Sequence, residues 1–187
     1  MIYFNLLFRI LMFKTLELLN THIDFDAMLP EMNDQVRASY HRPLTDEEIA
    51  CDGLCDIATP VWTRALQERF RSIGGLSLRA HSEVHEDNLA FHCYTVITSP
   101  EEPSDPTIIV DSTYKQFIPR KKRKNYPNIY VGTTSEIIQV LEEIGKQDYF
   151  ANFYKGFTLS KNTPEDYHIE HGVYGPADGY LGSSRTY

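Results

Sequence analysis

Residues 89–98, LAFHCYTVIT, and residues 107–114, TIIVDSTY, are two runs rich in aromatic and β-branched residues. Runs of this kind are typical of β-strands. The segment SPEEPSDP that separates them carries three prolines and is typical of a surface connection. The simplest arrangement is therefore an antiparallel hairpin, which forms the centre of the predicted fold.

The register of this hairpin decides which polar side chains meet. Side chains alternate along a strand, so His92 lies on one face and Cys93 on the other, and the two point apart. If Thr98 pairs with Thr107, Asp111 becomes a diagonal neighbour of His92 on the same face. A shift of one residue would separate them.

Helix signals lie on both sides of the hairpin. The segments Thr45–Glu48 and Thr133–Glu136 are capping boxes, in which a threonine is followed three residues later by a glutamate. The first predicts a short helix that Gly53 can close, and the second predicts a helix that ends at Gly145. The residues Ile129–Val131 predict a short third strand.

A longer helix is predicted between the first capping box and the hairpin. Thr59 is a natural N-cap and Pro60 suits the first helical position, while Asp56 is an alternative N-cap that places Pro60 fourth in the helix. We expect the helix to stop at Gly74-Gly75. Its buried stripe consists of Trp62, Ala65, Leu66, Phe70 and Ile73. Helices that precede strands predict an α+β fold.

Composition excludes several classes of protein. The chain has 187 residues, which suits a single domain with a core of its own. A net charge of -8 disfavours nucleic acid as the main partner, because phosphate binding needs a basic face. Three cysteines are an odd number, which argues against a secreted disulfide framework and leaves at least one thiol free.

The chain divides into three predicted parts. Residues 1–20 are apolar with helical spacing and predict an N-terminal amphipathic helical segment; charged residues interrupt the run, so no membrane span is expected. Residues 21–160 form the domain. Residues 161–187 lack periodicity and predict an irregular C-terminal tail.

Three residues bring together the parts of a nucleophilic site. Cys55 lies near the start of the predicted long helix, where unpaired backbone N–H groups favour a thiolate. His92 can accept and return a proton, and the carboxylate of Asp111 can fix the imidazole tautomer. Cys51 is the rival nucleophile, but it lies inside the preceding short helix, where burial is expected.

The local sequences GLCDIAT at 53–59, FHCYTVI at 91–97 and IIVDSTYKQF at 108–117 resemble the Cys, His and Asp core of papain-like and transglutaminase-like cysteine hydrolases. The resemblance covers about residues 50–118. It is closest to bacterial effectors and toxins that deamidate glutamine on host proteins. It implies a papain-like α+β fold, in which a helix that carries the cysteine packs on an antiparallel sheet that carries the histidine and the aspartate.

The resemblance also implies roles for individual residues: Cys55 as the nucleophile, His92 as the base and Asp111 as the orienting carboxylate. The sequence departs from the family at Ile49, where papain-like enzymes usually place a glutamine that donates to the oxyanion. The candidate donors here are the backbone N–H of Cys55 and the side chain of Gln116. No cofactor is required.

The implied activity is hydrolysis of a carboxamide or peptide carbonyl through a thioester, with deamidation of glutamine on a protein substrate favoured. A cysteine protease and a transglutaminase-type acyltransferase of the same fold are alternatives. A non-catalytic binding module on a degenerate hydrolase fold is a third. The sparse cysteines indicate a reduced protein, which is either cytoplasmic or an exported effector that acts in a host cytoplasm.

Zinc is the main alternative chemistry. The spacing of Cys51 and Cys55 suits a ligand pair, but His92 and Cys93 are adjacent on a strand and project to opposite faces. The segment HSEVH at 81–85 places two histidines four apart, as on a zincin helix, but lacks the HExxH pattern.

The run Arg120–Lys124 contains five consecutive basic residues in an otherwise acidic chain. Such a run is typical of a solvated loop. A basic loop beside a catalytic strand is also suited to docking an acidic surface of a protein substrate.

Overall fold

The computed structural model describes residues 16–17, 19–73, 78–86, 91–98, 108–146 and 148–155. Most of the N-terminal segment predicted at 1–20 lies outside the described residues, although residues 16, 17, 19 and 20 are helical. The tail predicted at 161–187 and the domain boundary at 160 also lie outside them.

Four α-helices have their bounds within the described residues: α1 (Phe25–Ala38), α2 (Asp46–Cys51), α3 (Cys55–Ser72) and α4 (Thr134–Ile144). Both predicted capping boxes are confirmed, at the N-termini of α2 and α4. Gly53 follows α2 with a φ of 72°, a left-handed conformation that glycine adopts without strain, and Gly145 is the C-cap of α4. Side-chain caps satisfy N–H groups that a helix start otherwise leaves unpaired, which is why these short patterns predict helix starts well.

The start of α3 differs from the prediction. The helix begins at Cys55 with Leu54 as its N-cap, so Pro60 is its sixth residue rather than its first or fourth. A proline there removes one backbone bond, the one that would reach the carbonyl of Asp56. The buried stripe of Trp62, Leu66 and Phe70 packs against the sheet and outweighs that loss.

The sheet has four antiparallel strands in the order β1-β2-β3-β4: β1 (Arg79–Glu86), β2 (Phe91–Thr98), β3 (Ile108–Asp111) and β4 (Tyr130–Thr133). The predicted hairpin is β2 and β3, and the predicted third strand is β4. The second strand is shorter than predicted, because the chain turns after Asp111 into a 3-10 helix at Tyr114–Phe117.

The predicted register of the hairpin is confirmed. Thr95 pairs with Val110, and Ile97 pairs with Ile108. This is the register that follows from pairing Thr98 with Thr107, so the face shared by His92 and Asp111 is the one that the sequence indicated.

Strand β1 was absent from the prediction. The segment HSEVH at 81–85 lies on this strand, paired with β2, and not on a helix. Residues four apart along a strand are about 13 Å apart, too far to act as the adjacent pair of a zincin helix. The segment therefore does not offer the adjacent histidine pair of a zincin helix, in addition to lacking the HExxH pattern.

Helices cover both faces of the sheet. On one face α1 and α3 pack against Ile97, Ile108 and Val110. On the other face α4 and the 3-10 helix Asp148–Tyr154 enclose a second core, formed by Tyr94, Val96, Ile109, Tyr114, Phe117, Ile118, Ile137, Leu141, Ala151, Phe153 and Tyr154. This mixture of helices and an antiparallel sheet confirms the α+β class.

Within the residues that the structure describes, the helices are all too short or too polar to cross a membrane.

Candidate active site

Cys55 is the first residue of α3, where the N–H groups of the first helical turn lack partners within the helix. The left-handed turn at Gly53 connects α2 to this start. The thiol is almost completely buried, with Cys55 only 2% exposed, whereas Asp52 and Gly53 beside it are exposed. Cys55, which the sequence placed near a helix start, is therefore the first residue of the helix itself and follows a short exposed turn.

His92 and Asp111 form a direct contact inside the protein. The Nε2 atom of His92 lies 2.7 Å from Oδ2 of Asp111, and both residues are buried. The other carboxylate oxygen, Oδ1, accepts hydrogen bonds from the backbone N–H of Thr113 at 2.8 Å and from its hydroxyl at 2.9 Å. Asp111 is the last residue of β3, so the turn that follows the strand orients its carboxylate.

The thiol of Cys55 is the third member of the site, because hydrogen bonding and charge from His92 lower the pKa of the thiol. Nε2 of His92 faces Asp111, and Nδ1 lies on the opposite side of the ring, 3.2 Å from Nε2 of Gln116. The structure thus brings together the three residues that the sequence predicted, in the order thiol, imidazole, carboxylate.

Electrostatics favour charge separation along this line. Burial lowers the pKa of His92, but the carboxylate of Asp111 and then the thiol of Cys55 outweigh it and raise the pKa to about 9. Burial likewise acts to raise the pKa of Asp111, yet the charge and hydrogen bond of His92 bring it below its ordinary value. Near neutral pH the imidazole is therefore protonated and the carboxylate ionised.

The pKa of the Cys55 thiol lies well below its ordinary value. The largest cause is a hydrogen bond from the side chain of Cys93; burial opposes it, and the hydrogen bond and charge of His92 reinforce it. Cys55 and His92 therefore form a thiolate–imidazolium pair, which is the reactive form of a nucleophilic cysteine.

Cys93 is a member of the site that sequence reasoning missed. Alternation along β2 suggested that His92 and Cys93 point apart and share no partner, but both are hydrogen-bonded to Cys55. The described pairing of β2 with β3 runs from Thr95 to Ile97, so both residues lie beyond its end, although both still pair with β1. The hydrogen bond to Cys55 and then burial raise the pKa of Cys93 well above its ordinary value, which keeps it a thiol and a donor.

Gln116 lies at the site, as the sequence suggested. It belongs to the 3-10 helix after β3, is half-buried, and its Nε2 lies 3.2 Å from Nδ1 of His92. A Cβ atom built on Gly53 would lie 3.8 Å from Oε1 of Gln116. Gln116 therefore lies close both to His92 and to Gly53, which precedes Cys55 by two residues.

Tyr154 is a second residue that the sequence did not indicate. Its hydroxyl donates to Oδ2 of Asp111 at 2.6 Å and lies 3.0 Å from Nε2 of His92. Its pKa is raised well above the ordinary value by burial and then by the charge of Asp111, so it remains a neutral donor. The only signal was the aromatic run YFANFY at 149–154, which lacks a period that would assign it to the site.

Aromatic rings enclose the imidazole. The ring of Phe117 meets that of His92 edge-on with centroids 4.7 Å apart, and the rings of Phe153 and Tyr94 lie within 6 Å of it. Rings at these positions exclude water from the His92–Asp111 contact and strengthen it electrostatically.

Asp56 places a second carboxyl beside the nucleophile. Burial, and then the charge of Cys55, raise its pKa to about 7, although hydrogen bonds from its own N–H and that of Ile57 oppose the shift. This carboxyl accordingly exchanges its proton near neutral pH.

The zinc alternative finds no support in the geometry. No set of three or more His, Cys, Asp or Glu side chains in the described part of the chain is placed to hold a metal ion. Cys51 is the last residue of α2, and burial raises the pKa of its thiol despite the opposing charge of Arg123. Cys51 therefore lacks the thiolate character of Cys55.

The basic run Arg120–Lys124 forms a surface turn that leads into the 3-10 helix Arg123–Asn125. Four of its five residues are exposed and Arg123 is half-buried. Arg120 approaches Glu47 of α2 at 3.9 Å, a distance at which an exposed ion pair contributes little to stability.

Comparisons with models of protein families, with curated proteins and with solved structures found no match to this chain. Inference about its function therefore depends on the geometry of the site.

Proposed function

We propose that this chain is a papain-like cysteine hydrolase that attacks a carboxamide or peptide carbonyl and forms a thioester. The observation that carries the proposal is the buried, hydrogen-bonded line of Cys55, His92 and Asp111, which starts at the N-terminus of α3. The fold supports the papain-like assignment, because the helix that carries the cysteine packs against an antiparallel sheet whose strands carry the histidine and the aspartate.

In the first half of the reaction the Cys55 thiolate attacks the carbonyl carbon, and the carbonyl oxygen becomes an oxyanion. The Nδ1–H of His92 then protonates the departing nitrogen, the C–N bond breaks, and ammonia or an amine leaves a thioester on Cys55. In the second half His92 takes a proton from water, and the resulting hydroxide adds to the thioester. The C–S bond breaks, and the thiolate is restored as the acid product leaves.

We propose two donors for the oxyanion. The backbone N–H of Cys55 is at the start of α3, where helix geometry provides no acceptor. Gln116 can supply the second from its amide. When Nδ1 of His92 carries a proton, the carboxamide of Gln116 must meet it with Oε1, which turns the NH₂ group away from the ring and frees it for the substrate.

Glutamine deamidation is the favoured reaction among those of this fold. Cys55 is only 2% exposed. So small an exposure suits one extended side chain ending in a carboxamide, whereas a peptidase must bind main chain on both sides of the cut. Cleavage of a peptide and transfer to an amine use the same thioester and differ only in the leaving group and the second nucleophile.

We further propose a protein as the substrate, with the basic turn Arg120–Lys124 docking an acidic surface on it. A site that uses a free thiolate suits a reducing compartment. The three cysteines are all free, which supports action in a cytoplasm, either that of the producing cell or that of a host.

The first test measures the pH dependence of iodoacetamide alkylation at each cysteine by peptide mass spectrometry. The pH midpoint of alkylation at Cys55 is expected to lie well below the ordinary thiol pKa of about 8.5. In the His92→Ala variant this low midpoint should be lost, because the imidazolium no longer stabilises the thiolate. The Cys51→Ala variant is the matched control and should leave the profile of Cys55 unchanged.

The second test incubates the chain with glutamine-containing peptides and proteins and measures released ammonia and product mass. Deamidation raises the mass by about 1 Da, and Cys55→Ala should abolish it. Cleaved peptides would instead identify a protease, and incorporation of an added amine an acyltransferase. A Cys55 that is inert to iodoacetamide, or that is alkylated with the pH midpoint of an ordinary thiol, would favour the binding module.

A further inference from the structure

A cavity of about 740 Å³ lies between α1, α2 and the chain that follows β3. Its volume is in the range of sites that bind small molecules. Its lining residues do not include Cys55, His92, Asp111 or Gln116. The proposed hydrolysis therefore gives this cavity no role.

Lys115 is a buried cation in the wall of the cavity. It is only 7% exposed, and its Nζ donates to Oδ1 of Asn128, which also lines the cavity, at 2.7 Å. An ammonium group has three N–H donors. Within the residues that the structure describes, Nζ has no second acceptor and no carboxylate within 4.0 Å. A buried charge with unused donors is costly, so Nζ is suited to donate to a ligand in the cavity.

Arg123 is a second cation in this wall. Its Nε donates to the carbonyl of Ile118 at 3.0 Å, which holds the half-buried side chain in place. In the described part of the chain its other guanidinium nitrogens have no acceptor and no carboxylate within 4.0 Å. Burial lowers the pKa of Lys115, and the charge of Arg123 lowers it further, so the two cations act on each other. Two like charges at one cavity favour an anion between them.

The cavity also has acidic walls. The charged side chains that line it are Lys115, Arg120, Arg123, Lys124, Asp26, Asp46 and Glu47. Asp46 is already paired with Arg37, which is not part of the lining, and Glu47 lies 3.9 Å from Arg120. Asp26 of α1 and Glu47 of α2 thus add carboxylate acceptors to a cavity whose buried cations lack an acidic partner.

We infer that this cavity binds a small phosphate monoester that carries hydroxyl groups, with the phosphate at Lys115 and Arg123 and the hydroxyls toward Asp26 and Glu47. A phosphate monoester has nearly two negative charges at neutral pH, enough to neutralise both cations, whereas one carboxylate would neutralise a single cation. Hydroxyl groups donate to carboxylates, which inorganic phosphate would approach only against charge repulsion. The inference goes beyond the proposed function and does not depend on it.

The test titrates the full chain with ribose 5-phosphate and with glycerol 3-phosphate by isothermal titration calorimetry at constant low salt. Inorganic phosphate is the control for the ion alone, and ribose is the control for the uncharged body. We expect the two esters to bind, inorganic phosphate to bind more weakly, and ribose to give no binding.

The Lys115→Met variant removes the ammonium and keeps an unbranched side chain in the wall. Loss of a charge-assisted contact should raise the Kd of the esters about tenfold to a hundredfold. Lys121→Met is the matched control, because it removes one charge from an exposed residue of the same basic turn that does not line the cavity, and the Kd should stay nearly unchanged. If Lys115→Met does not fold, Arg123→Gln decides by the same criterion.

Four results would overturn the inference: neither ester binds, inorganic phosphate binds as tightly as the esters, Lys115→Met and Arg123→Gln keep the wild-type Kd, or Lys121→Met weakens binding as much as they do. Failure of the proposed function appears differently. Cys55→Ala should bind both esters with the wild-type Kd, because Cys55 does not line the cavity. A chain that binds the esters but releases no ammonia from any glutamine substrate would contradict the hydrolase alone.

Discussion

His92 is the residue on which the site depends, because it interacts with Cys55 and contacts Asp111. The two ring nitrogens are distinguished by their neighbours: Nε2 faces Asp111 and Tyr154, while Nδ1 faces Gln116. The imidazole therefore has one orientation that satisfies both nitrogens. An imidazole held in this way is ready to accept and return a proton without rotating.

Tyr154 is a positioning residue, since it acts through Asp111 and His92. The Tyr154→Phe variant keeps the ring but removes the hydroxyl that donates to Oδ2 of Asp111. Removing one hydrogen-bond donor from a buried carboxylate costs about 1 to 3 kcal/mol, so the free energy of unfolding, measured with urea, should fall by that amount. The half-buried Tyr126 offers a matched control, because Tyr126→Phe makes the same chemical change away from the triad.

The same variant separates positioning from thiolate formation. The His92–Asp111 contact remains in Tyr154→Phe, so Cys55 should still be alkylated with a low pH midpoint, unlike in His92→Ala. A midpoint that rose as far as in His92→Ala would show that Tyr154 is needed to form the ion pair itself.

At the scale of the elements, the short β3 strand and the early start of α3 build the site. Strand β3 ends at Asp111, and the turn at Thr113 then supplies both donors to its carboxylate. Helix α3 begins at Cys55 although Pro60 is unfavourable inside a helix. The early start costs the backbone hydrogen bond that Pro60 cannot donate, but it places the Cys55 thiol at a helix N-terminus. Departures from local sequence preference are typical of functional sites.

The basic turn is an element whose role depends on its charge. The Lys121→Glu/Lys122→Glu variant reverses two exposed charges of the turn. If the turn docks an acidic substrate, kcat/KM should fall several-fold at low salt and approach the wild-type value at high salt, because exposed charges are screened there.

The control for this experiment is Arg64→Glu/Arg71→Glu, which makes the same change in net charge on exposed positions of α3. Equal losses in both variants would point to net charge alone. Unchanged turnover in the basic-turn variant at low salt would contradict the docking role.

At the scale of the whole molecule, the stability should carry a pH dependence from Asp56. Its pKa is raised to about 7 in the folded chain, while an unfolded aspartate has an ordinary pKa near 3.9. Between about pH 4 and pH 7 the folded state holds a proton that the unfolded state has lost, so this group makes the folded chain less stable as the pH rises through that window.

The Asp56→Asn variant removes this titration and keeps the shape of the side chain. Urea unfolding of both chains at several pH values should show the variant gaining stability relative to wild type from about pH 4 to pH 7, with a constant difference above. A difference that stays flat across the window would mean that Asp56 is ionised throughout.

Local patterns predicted much of the fold. The capping boxes at Thr45 and Thr133 each satisfy N–H groups through residues three apart, so their outcome depends on adjacent chain alone. The hairpin and its register followed from the two apolar runs and their connection. Strand β1 could not be predicted in this way, because its sequence is too polar to resemble a strand, with His81, Ser82, Glu83 and His85. It pairs with β2, which the local sequence of β1 does not indicate.

The sequence by itself determined the α+β class, the helix starts at the two capping boxes, the register of β2 with β3 and hence the common face of His92 and Asp111. Those features arise from contacts between neighbouring residues or from the two-residue period of a strand. Only the tertiary structure revealed the hydrogen bond of Tyr154 to Asp111 and the effect of Cys93 on Cys55. It also decided that α3 begins at Cys55. Each of these depends on packing between segments distant along the chain, where burial energy outweighs local preference and no local pattern records the outcome.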